Sequence, residues 1–286
     1  FSITDRWQWG WDGLLPTDST FYSDYSLSSY QGRANQVLTG LTEGLNQVYL
    51  VGQGRRSFFD ARSIYYYGFS VADVQNQIPV IHPVVDYFHT FDRPVFGGEF
   101  GIRTNMTSLS RTTAAFDQIV PSVFVTNPLN PAQPLEITNP CAPDVPAALK
   151  NTMNCLLRGI PGTYNRFSAE SVWKRTITDP FGQQFTPFAY LRADVSAISI
   201  DAQPGVSNYL PPGDSTEFRF MPTAGVEYRY PFINVQSWGT QTITPIAQII
   251  VRPDEPSIGK FPNEDAQSLI FDDSILFKIN KFSGWD

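Results

Sequence analysis

The chain has 286 residues, a net charge of −7, 16% charged residues and 14% aromatic residues. Soluble domains average roughly 25% charged residues, so this composition suits a surface that faces something other than water. Arg and Lys are scattered rather than clustered, which excludes the basic face a nucleic-acid partner needs. No run approaches the ~18 apolar residues of a membrane helix, so any crossing of lipid falls to strands in a closed barrel.

Residues 1–12 place Phe1, Ile3, Trp7, Trp9 and Trp11 on one face, with Asp5 interrupting it. Residues 21–30, 36–42 and 46–52 read as strands with weaker alternation. In residues 57–69, Phe59, Ala61, Tyr65, Tyr67 and Phe69 face one way, and Asp60 and Arg62 the other. Residues 95–107 set Phe96, Phe100 and Ile102 opposite Glu99 and Arg103. Residues 163–176 and 184–200 alternate more loosely, and the second slips parity near Ser196, as a β-bulge would make it do.

Residues 217–230 alternate most cleanly. Phe218, Phe220, Pro222, Ala224, Val226, Tyr228 and Tyr230 fall on one face; Glu217, Arg219, Met221, Thr223, Gly225, Glu227 and Arg229 fall on the other. Aromatic residues sit at both ends of the apolar face with small residues between them. About twelve residues at ~3.3 Å rise, tilted by ~40°, reach roughly 30 Å, the height of an apolar band with two aromatic girdles.

The connections run short (52–56), longer (70–79), short (92–94), very long (109–162), short (177–183), long (202–216), short (231–240) and long again from Arg252. Outer-membrane barrels pair short periplasmic turns with long outer loops. The rhythm puts residues 109–162 outside the cell and makes Asp179-Pro180-Phe181-Gly182 a periplasmic turn. It predicts an all-β fold: an antiparallel up-and-down transmembrane β-barrel, here a partial barrel of about eleven strands with open edges, forming a single domain over residues 1–286. Pro187, Pro222 and Pro245 fall within these strands, where a proline donates nothing to the ladder, so they mark bulges, strand starts or misplaced boundaries.

Cys141 and Cys155 bracket a segment in which Asp144 suits the cap of a short helix with Pro146 in its first turn. The preferred reading is a local disulfide, which implies an oxidising compartment such as the periplasm or cell surface. The alternative is two unrelated buried thiols; zinc would need more ligands than lie nearby.

Catalytic candidates are few. His82 and His89 lie on opposite faces of a strand and cannot share a metal without a bulge; His82 reads as close to a strand start and His89 as pointing inward. Asn263, Glu264, Asp265, Asp272 and Asp273 lack the order of a calcium loop. Glu99 and Glu227 suit a charged lumen wall better than acid–base chemistry. Arg103, Arg192, Arg219 and Arg229 fit two roles equally: bidentate contact with phosphates of an anionic glycolipid, or Arg–carboxylate pairs bracing the wall. No cofactor motif and no nucleotide-binding loop is present.

Residues 261–286, FPNEDAQSLIFDDSILFKINKFSGWD, show neither strand nor helix periodicity and are too apolar for a disordered tail. Their wording resembles the barrel domain of the lipopolysaccharide-assembly outer-membrane protein family LptD, in its alphaproteobacterial form. Asn263, Glu264, Asp265, Gln267, Ser268, Phe282, Ser283, Gly284 and Asp286 match the family phrase, with Ala266 and Trp285 as variants. Arg56-Ser-Phe-Phe-Asp-Ala-Arg, Ile78-Pro-Val-Ile-His-Pro-Val-Val-Asp-Tyr, Gly97-Gly-Glu-Phe and Thr186-Pro-Phe-Ala-Tyr-Leu-Arg-Ala-Asp look like further blocks of the same family, so the resemblance runs across most of the chain.

The resemblance implies the outer membrane of a Gram-negative bacterium and a non-enzymatic role in placing lipopolysaccharide in the outer leaflet. The partners it implies are lipopolysaccharide, a plug lipoprotein (LptE-like) inside the barrel, and a periplasmic lipopolysaccharide bridge reached through an N-terminal jellyroll. Neither the jellyroll nor the barrel-closing strands are in this sequence, which reads as a piece of a longer protein. Gate residues and the family's jellyroll-to-barrel disulfides therefore do not transfer to it. Residues 252–286 are expected to form a non-strand loop that folds toward the lumen. Two alternatives share the composition: a general porin or uptake barrel, and a secreted carbohydrate-binding β-sandwich.

Overall fold

A computed structural model describes residues 1–16, 18, 20–24, 43–70, 73–142, 144–255, 260, 262, 264, 275–280, 284 and 285. In chain order the strands are β1 (Ser2–Thr4), β2 (Trp7–Asp12), β3 (Glu43–Gln53), β4 (Ser57–Gly68), β5 (Val80–Thr90), β6 (Glu99–Arg111), β7 (Ala115–Gln118), β8 (Val123–Val125), β9 (Leu135–Ile137), β10 (Cys155–Gly159), β11 (Gly162–Lys174), β12 (Ile177–Thr178), β13 (Gln184–Ile200), β14 (Gly213–Arg229), β15 (Phe232–Gln236), β16 (Gly239–Ile243) and β17 (Ile246–Val251). One helical turn, α1 (Phe21–Asp24), stands where the sequence predicts a strand over 21–30. The rest of that strand and the one predicted over 36–42 lie outside the described residues. No helix among the described residues is long and apolar enough to cross a membrane.

Eleven strands form one antiparallel sheet in the order β1-β2-β3-β4-β5-β6-β11-β13-β14-β17, with β12 paired to β13. Apart from the two-residue β12, each strand pairs with the next sheet strand along the chain, as an up-and-down meander requires. β1 and β17 stand at its two edges, so the sheet is open. The ladders from β6 to β14 run without a register shift. Residues two apart on a strand therefore stay on one face, and cross-strand partners line up in rows.

The rows show what each face is made of. On one face Met106, Phe167, Val195 and Phe218 stand side by side, all exposed. Toward the other end of the same strands come small residues, Ala169, Ala193, Ser171 and Ala189, and then Phe100, Trp173, Phe185 and Tyr228. Trp7, Trp9 and Trp11 continue this face at the β2 edge, where Trp7 lies across Gly52 and takes the space a Cβ would fill. Among the described residues no second sheet packs on this face, which argues against a sandwich. Along the strand, Phe218 and Tyr228 are ten residues apart, about 33 Å at ~3.3 Å per residue.

On the opposite face the row Arg103–Glu170–Arg192 is followed by Asn105–Ser168–Asp194–Arg219, then by Thr107–Arg166–Ser196–Glu217. The next row, Leu109–Tyr164–Ile198, is apolar and buried, and with Ala114, Ile160, Ile200 and Val206 it makes the one core cluster among the described residues. That cluster explains the apparent parity slip near Ser196. No bulge exists in β13; Ile198 and Ile200 stay on the inward face because the long connection covers them there.

Residues 112–161 build two small antiparallel ribbons, β7–β10 and β8–β9. A disulfide joins Cys141 and Cys155. The predicted helix is a single 3₁₀ turn, Ala147–Leu149, entered from Pro146 without a side-chain cap from Asp144. Asn208 donates to the carbonyls of Ala147 and Lys150, and Tyr209 Oη to that of Cys155 at 2.6 Å, so residues 201–212 brace the disulfide segment. Burial beside Phe116 lowers the Lys150 ammonium below the usual lysine range, with the charge of Asp144 acting against the shift.

Three local readings need correction. Val95–Gly98 is a two-residue turn rather than strand, with Phe96 and Gly97 at positive φ and reciprocal 2.9 Å backbone bonds between Val95 and Gly98. Asp92-Arg-Pro is therefore only part of that connection. The connection expected to be short over 231–240 is a hairpin, β15–β16, whose ten strand residues are all exposed. His89 pairs with Ile102 and packs edge-on against Phe91 on the apolar face, not inward. The bulge between Ile81 and Val84 resets the side-chain parity along β5 after His82.

The prolines sit where the ladder can spare a donor. Pro187 lies just past Lys174↔Phe188, the last β11–β13 pair. Pro222 precedes Ala224, where pairing with β17 begins, and Pro245 lies between β16 and β17.

Candidate functional site

The charged face of the sheet gathers most of the predicted polar residues, and period-2 geometry alone places them there. Asp194 has no exposed side-chain surface and accepts from two guanidinium groups: Arg192 Nε at 3.0 and 2.9 Å, and Arg219 Nε at 2.7 Å. Glu170 lies 3.8 Å from Arg192 and 3.7 Å from Arg103, and Tyr190 Oη donates to it. Glu255 reaches Arg219 at 4.0 Å. Three arginines therefore meet three carboxylates, two of them, Glu170 and Asp194, on adjacent strands and the third, Glu255, in the segment after β17. Burying charge is tolerated only with this degree of pairing.

Farther toward the short-connection end, Arg229 pairs with Glu227 at 2.6 Å and Lys174 with Glu99 at 3.4 Å. Toward β1 the same face continues with Arg62 bidentate on Asp60 at 2.7 Å, and Gln47 donating to Asp12 at 2.7 Å. Asn105 donates to Asp86 at 2.9 Å. Glu99, Arg103, Arg192, Arg219, Glu227 and Arg229 thus share one face. Each of the four arginines has a carboxylate within 4.0 Å, the contact that bracing of the wall requires.

The C-terminal phrase meets this face at three points. Glu264 takes two bonds from Arg111, at 3.1 and 2.8 Å, and one from the Ile160 amide at 3.0 Å. Phe277 offers its carbonyl to Gln248 of β17 at 3.2 Å. Trp285 lies between Arg103 and Arg192, whose guanidinium carbons stand 5.4 and 5.6 Å from its ring centre, and its carbonyl accepts from Arg192 and Arg219. Gly284, at φ 84°, takes the left-handed conformation open to glycine just before that tryptophan. Asn263, Asp265, Gln267, Ser268, Phe282, Ser283 and Asp286 lie outside the described residues.

Arg111, Glu170, Tyr190 and Asp194 escaped the sequence reading. For Glu170 and Asp194 the signal was present: each shares the parity of an arginine two residues away or directly across the ladder. The partner of Arg111, Glu264, lies 153 residues away, beyond anything local pattern can show.

The face is a polar, hydrogen-bonded wall. The family model described as LptD, LPS transport system D, matches residues 1–286. No curated protein matches the chain. With its whole length matched and a large antiparallel sheet bearing one apolar and one charged face, the chain belongs to the LptD family of outer-membrane lipopolysaccharide transport components, a family of transporters rather than enzymes.

Proposed function

We propose that the chain is part of the wall of an outer-membrane translocon that inserts lipopolysaccharide into the outer leaflet, without catalysis. The observation that carries this reading is the opposition of the two faces: Phe218 is 64% exposed, whereas the side chain of Asp194, on the other face of the same ladder, has no exposed surface. In lipid the exposed apolar face is the stable outer surface, and the charged face lines a wet interior. The ten-residue interval from Phe218 to Tyr228, tilted by ~40°, spans about 25 Å, the height of the apolar band of such barrels.

On this reading the connections 54–56, 91–98, 175–183 and 230–245 face the periplasm, and the disulfide-bearing residues 112–161 face outward. Further strands complete the barrel beyond β1 and β17. Sugar headgroups travel along the polar interior while acyl chains leave sideways into lipid. A plug lipoprotein of the LptE kind occupies the interior, and a periplasmic bridge delivers the lipid. Residues 252–286 belong to the interior, as the contacts of Glu264, Phe277 and Trp285 with the charged face suggest. Depletion of the parent gene, with surface lipopolysaccharide scored by labelling of intact cells, tests the proposal. Loss of surface display is expected; unchanged display contradicts it.

A further inference from the structure

The apolar face of the sheet is not uniform. Near its β2 edge, at the end that carries the long connections, it holds a cavity of about 410 Å3 lined by β2, β3, β4 and the start of β5. The pairs Trp11↔Val48↔Ser63 and Asn46↔Tyr65 put these five residues on the apolar face. Trp11 is 64% exposed, and Val48, at the floor, is 59% exposed. Trp9 and Trp7 continue this exposed row along β2. The cavity is therefore a recess in the lipid-facing surface, separate from the charged interior.

The recess is built by two polar side chains. Asn46 accepts from the Leu14 amide at 2.6 Å and donates to the carbonyls of Tyr65 at 3.2 Å and Leu14 at 3.3 Å. One side-chain amide thus holds both polar backbone groups of Leu14. The chain leaving β2 is drawn back onto β3, with Leu14 buried and Leu15 exposed at the rim. Gly44 permits this approach, since a Cβ there would stand 2.7 Å from the Leu14 carbonyl oxygen. On the other side, a register shift leaves Ser63 without a ladder partner on β5, and its hydroxyl donates to the Ile81 carbonyl at 3.2 Å. Asn46 and Ser63 thus direct their donors into the protein. A recess whose polar groups are satisfied from within suits an apolar occupant.

We propose that this recess seats an acyl chain of outer-leaflet lipopolysaccharide against the outside of the wall, and that Asn46 gives it its shape. The inference rests on reading the long-connection end as outward, and adds to that reading a site where inserted lipid stays in contact with the protein. Continuity with the exposed tryptophan row chooses the occupant, because whatever bathes Trp7, Trp9 and Trp11 also reaches Val48. Position chooses its source. The recess lies beside Asp12 and Glu43, the strand ends that flank the long connection 13–42, and so in the outward leaflet. Among the described lining residues there is no arginine or lysine, so the site takes the chain and leaves the phosphates to solvent.

Native mass spectrometry of the full-length protein, extracted from its membrane in mild detergent, counts the lipid it retains. The parent is expected to carry a molecule of lipopolysaccharide that Val48→Trp, which fills the recess, has lost. Val195→Trp makes the same enlargement on the same face outside the recess, where Val195 is exposed beside Phe167 and Phe218, and is expected to keep it. Asn46→Ala, which frees Leu14, is expected to lose it. Heat-modifiable migration on gels shows which barrels have assembled, and Val48→Trp carries the test even where Asn46→Ala fails to assemble. Equal retention by the parent and Val48→Trp overturns the proposal. So does equal loss from Val195→Trp, or a lost mass that is phospholipid or a second copy of the chain. Unchanged surface lipopolysaccharide after depletion would sink the transport reading instead, and a mass difference at position 48 would stand without it.

Discussion

Phe218 and Arg219 are neighbours in the chain and occupy opposite worlds: the phenyl ring is 64% exposed, while the guanidinium is 2.7 Å from a carboxylate with no exposed side-chain surface. A charge placed on the apolar face should therefore be costly where the same charge on the other face is not. Phe220→Arg is expected to destabilise the full-length barrel in lipid by about 2–4 kcal/mol, whereas Met221→Arg, one residue on and beside the polar cavity, should cost clearly less. Urea unfolding of the two variants in lipid vesicles, followed by tryptophan fluorescence, measures the difference.

Asp194 is the shared acceptor of Arg192 and Arg219. Asp194→Ala removes the nearest carboxylate from both arginines and leaves Glu170 at 3.8 Å from Arg192 and Glu255 at 4.0 Å from Arg219, so the cost should lie at or below the about 3–5 kcal/mol of breaking a buried pair outright. The exposed pair Arg55–Asp92 makes the contrast, since exposed ion pairs contribute little; Arg55→Ala should leave the unfolding midpoint unchanged. Comparison of the two midpoints under one set of conditions checks both expectations.

The strands and their facing were legible in the sequence because period-2 alternation is a local signal, and residues 217–230 carry it without a break. The disulfide was legible because Cys141 and Cys155 are close in the chain. Other features depended on distant chain. Ile198 and Ile200 look like a slipped register until the connection over 112–161 is seen to cover them. The hairpin β15–β16 was lost inside a supposed turn because Phe232–Ile243 has no charge to mark where lipid ends. The pairing of Glu264 with Arg111 joins the ends of two long connections, and no spacing rule reaches that far.

The Cys141–Cys155 bridge closes a loop 14 residues apart, and such a constraint contributes about 3 kcal/mol. Its effect should be local, because residues 112–161 are also held by the Leu109–Tyr164–Ile198 cluster, by Arg111 and by the bonds of Asn208 and Tyr209. Replacing both cysteines (Cys141→Ser with Cys155→Ser) is expected to open this segment to protease on intact cells while the barrel still assembles. Proteolysis followed by mass mapping of the cleavage sites is the check.

Gly162 opens β11 at φ 108°, and a Cβ there would run into the carbonyl of Ser199 on β13. Gly162→Ala should cost more than the about 1–3 kcal/mol typical of a strained backbone position, because the steric clash adds to it. By contrast, Gly182, also at positive φ, has open space around it, so Gly182→Ala should carry the conformational cost alone. Thermal unfolding of the two variants ranks them.

The most direct test is to scan single cysteines along β14 of the full-length protein in its membrane, using Phe218→Cys, Arg219→Cys, Val226→Cys and Glu227→Cys. Labels at 218 and 226 should be quenched by lipid-borne quenchers and refuse water-soluble thiol reagents, with the reverse at 219 and 227. If 218 and 226 react with aqueous reagents while 219 and 227 sense the lipid quencher, or if no alternation is found, the account of a lipid-facing and a water-facing side is wrong.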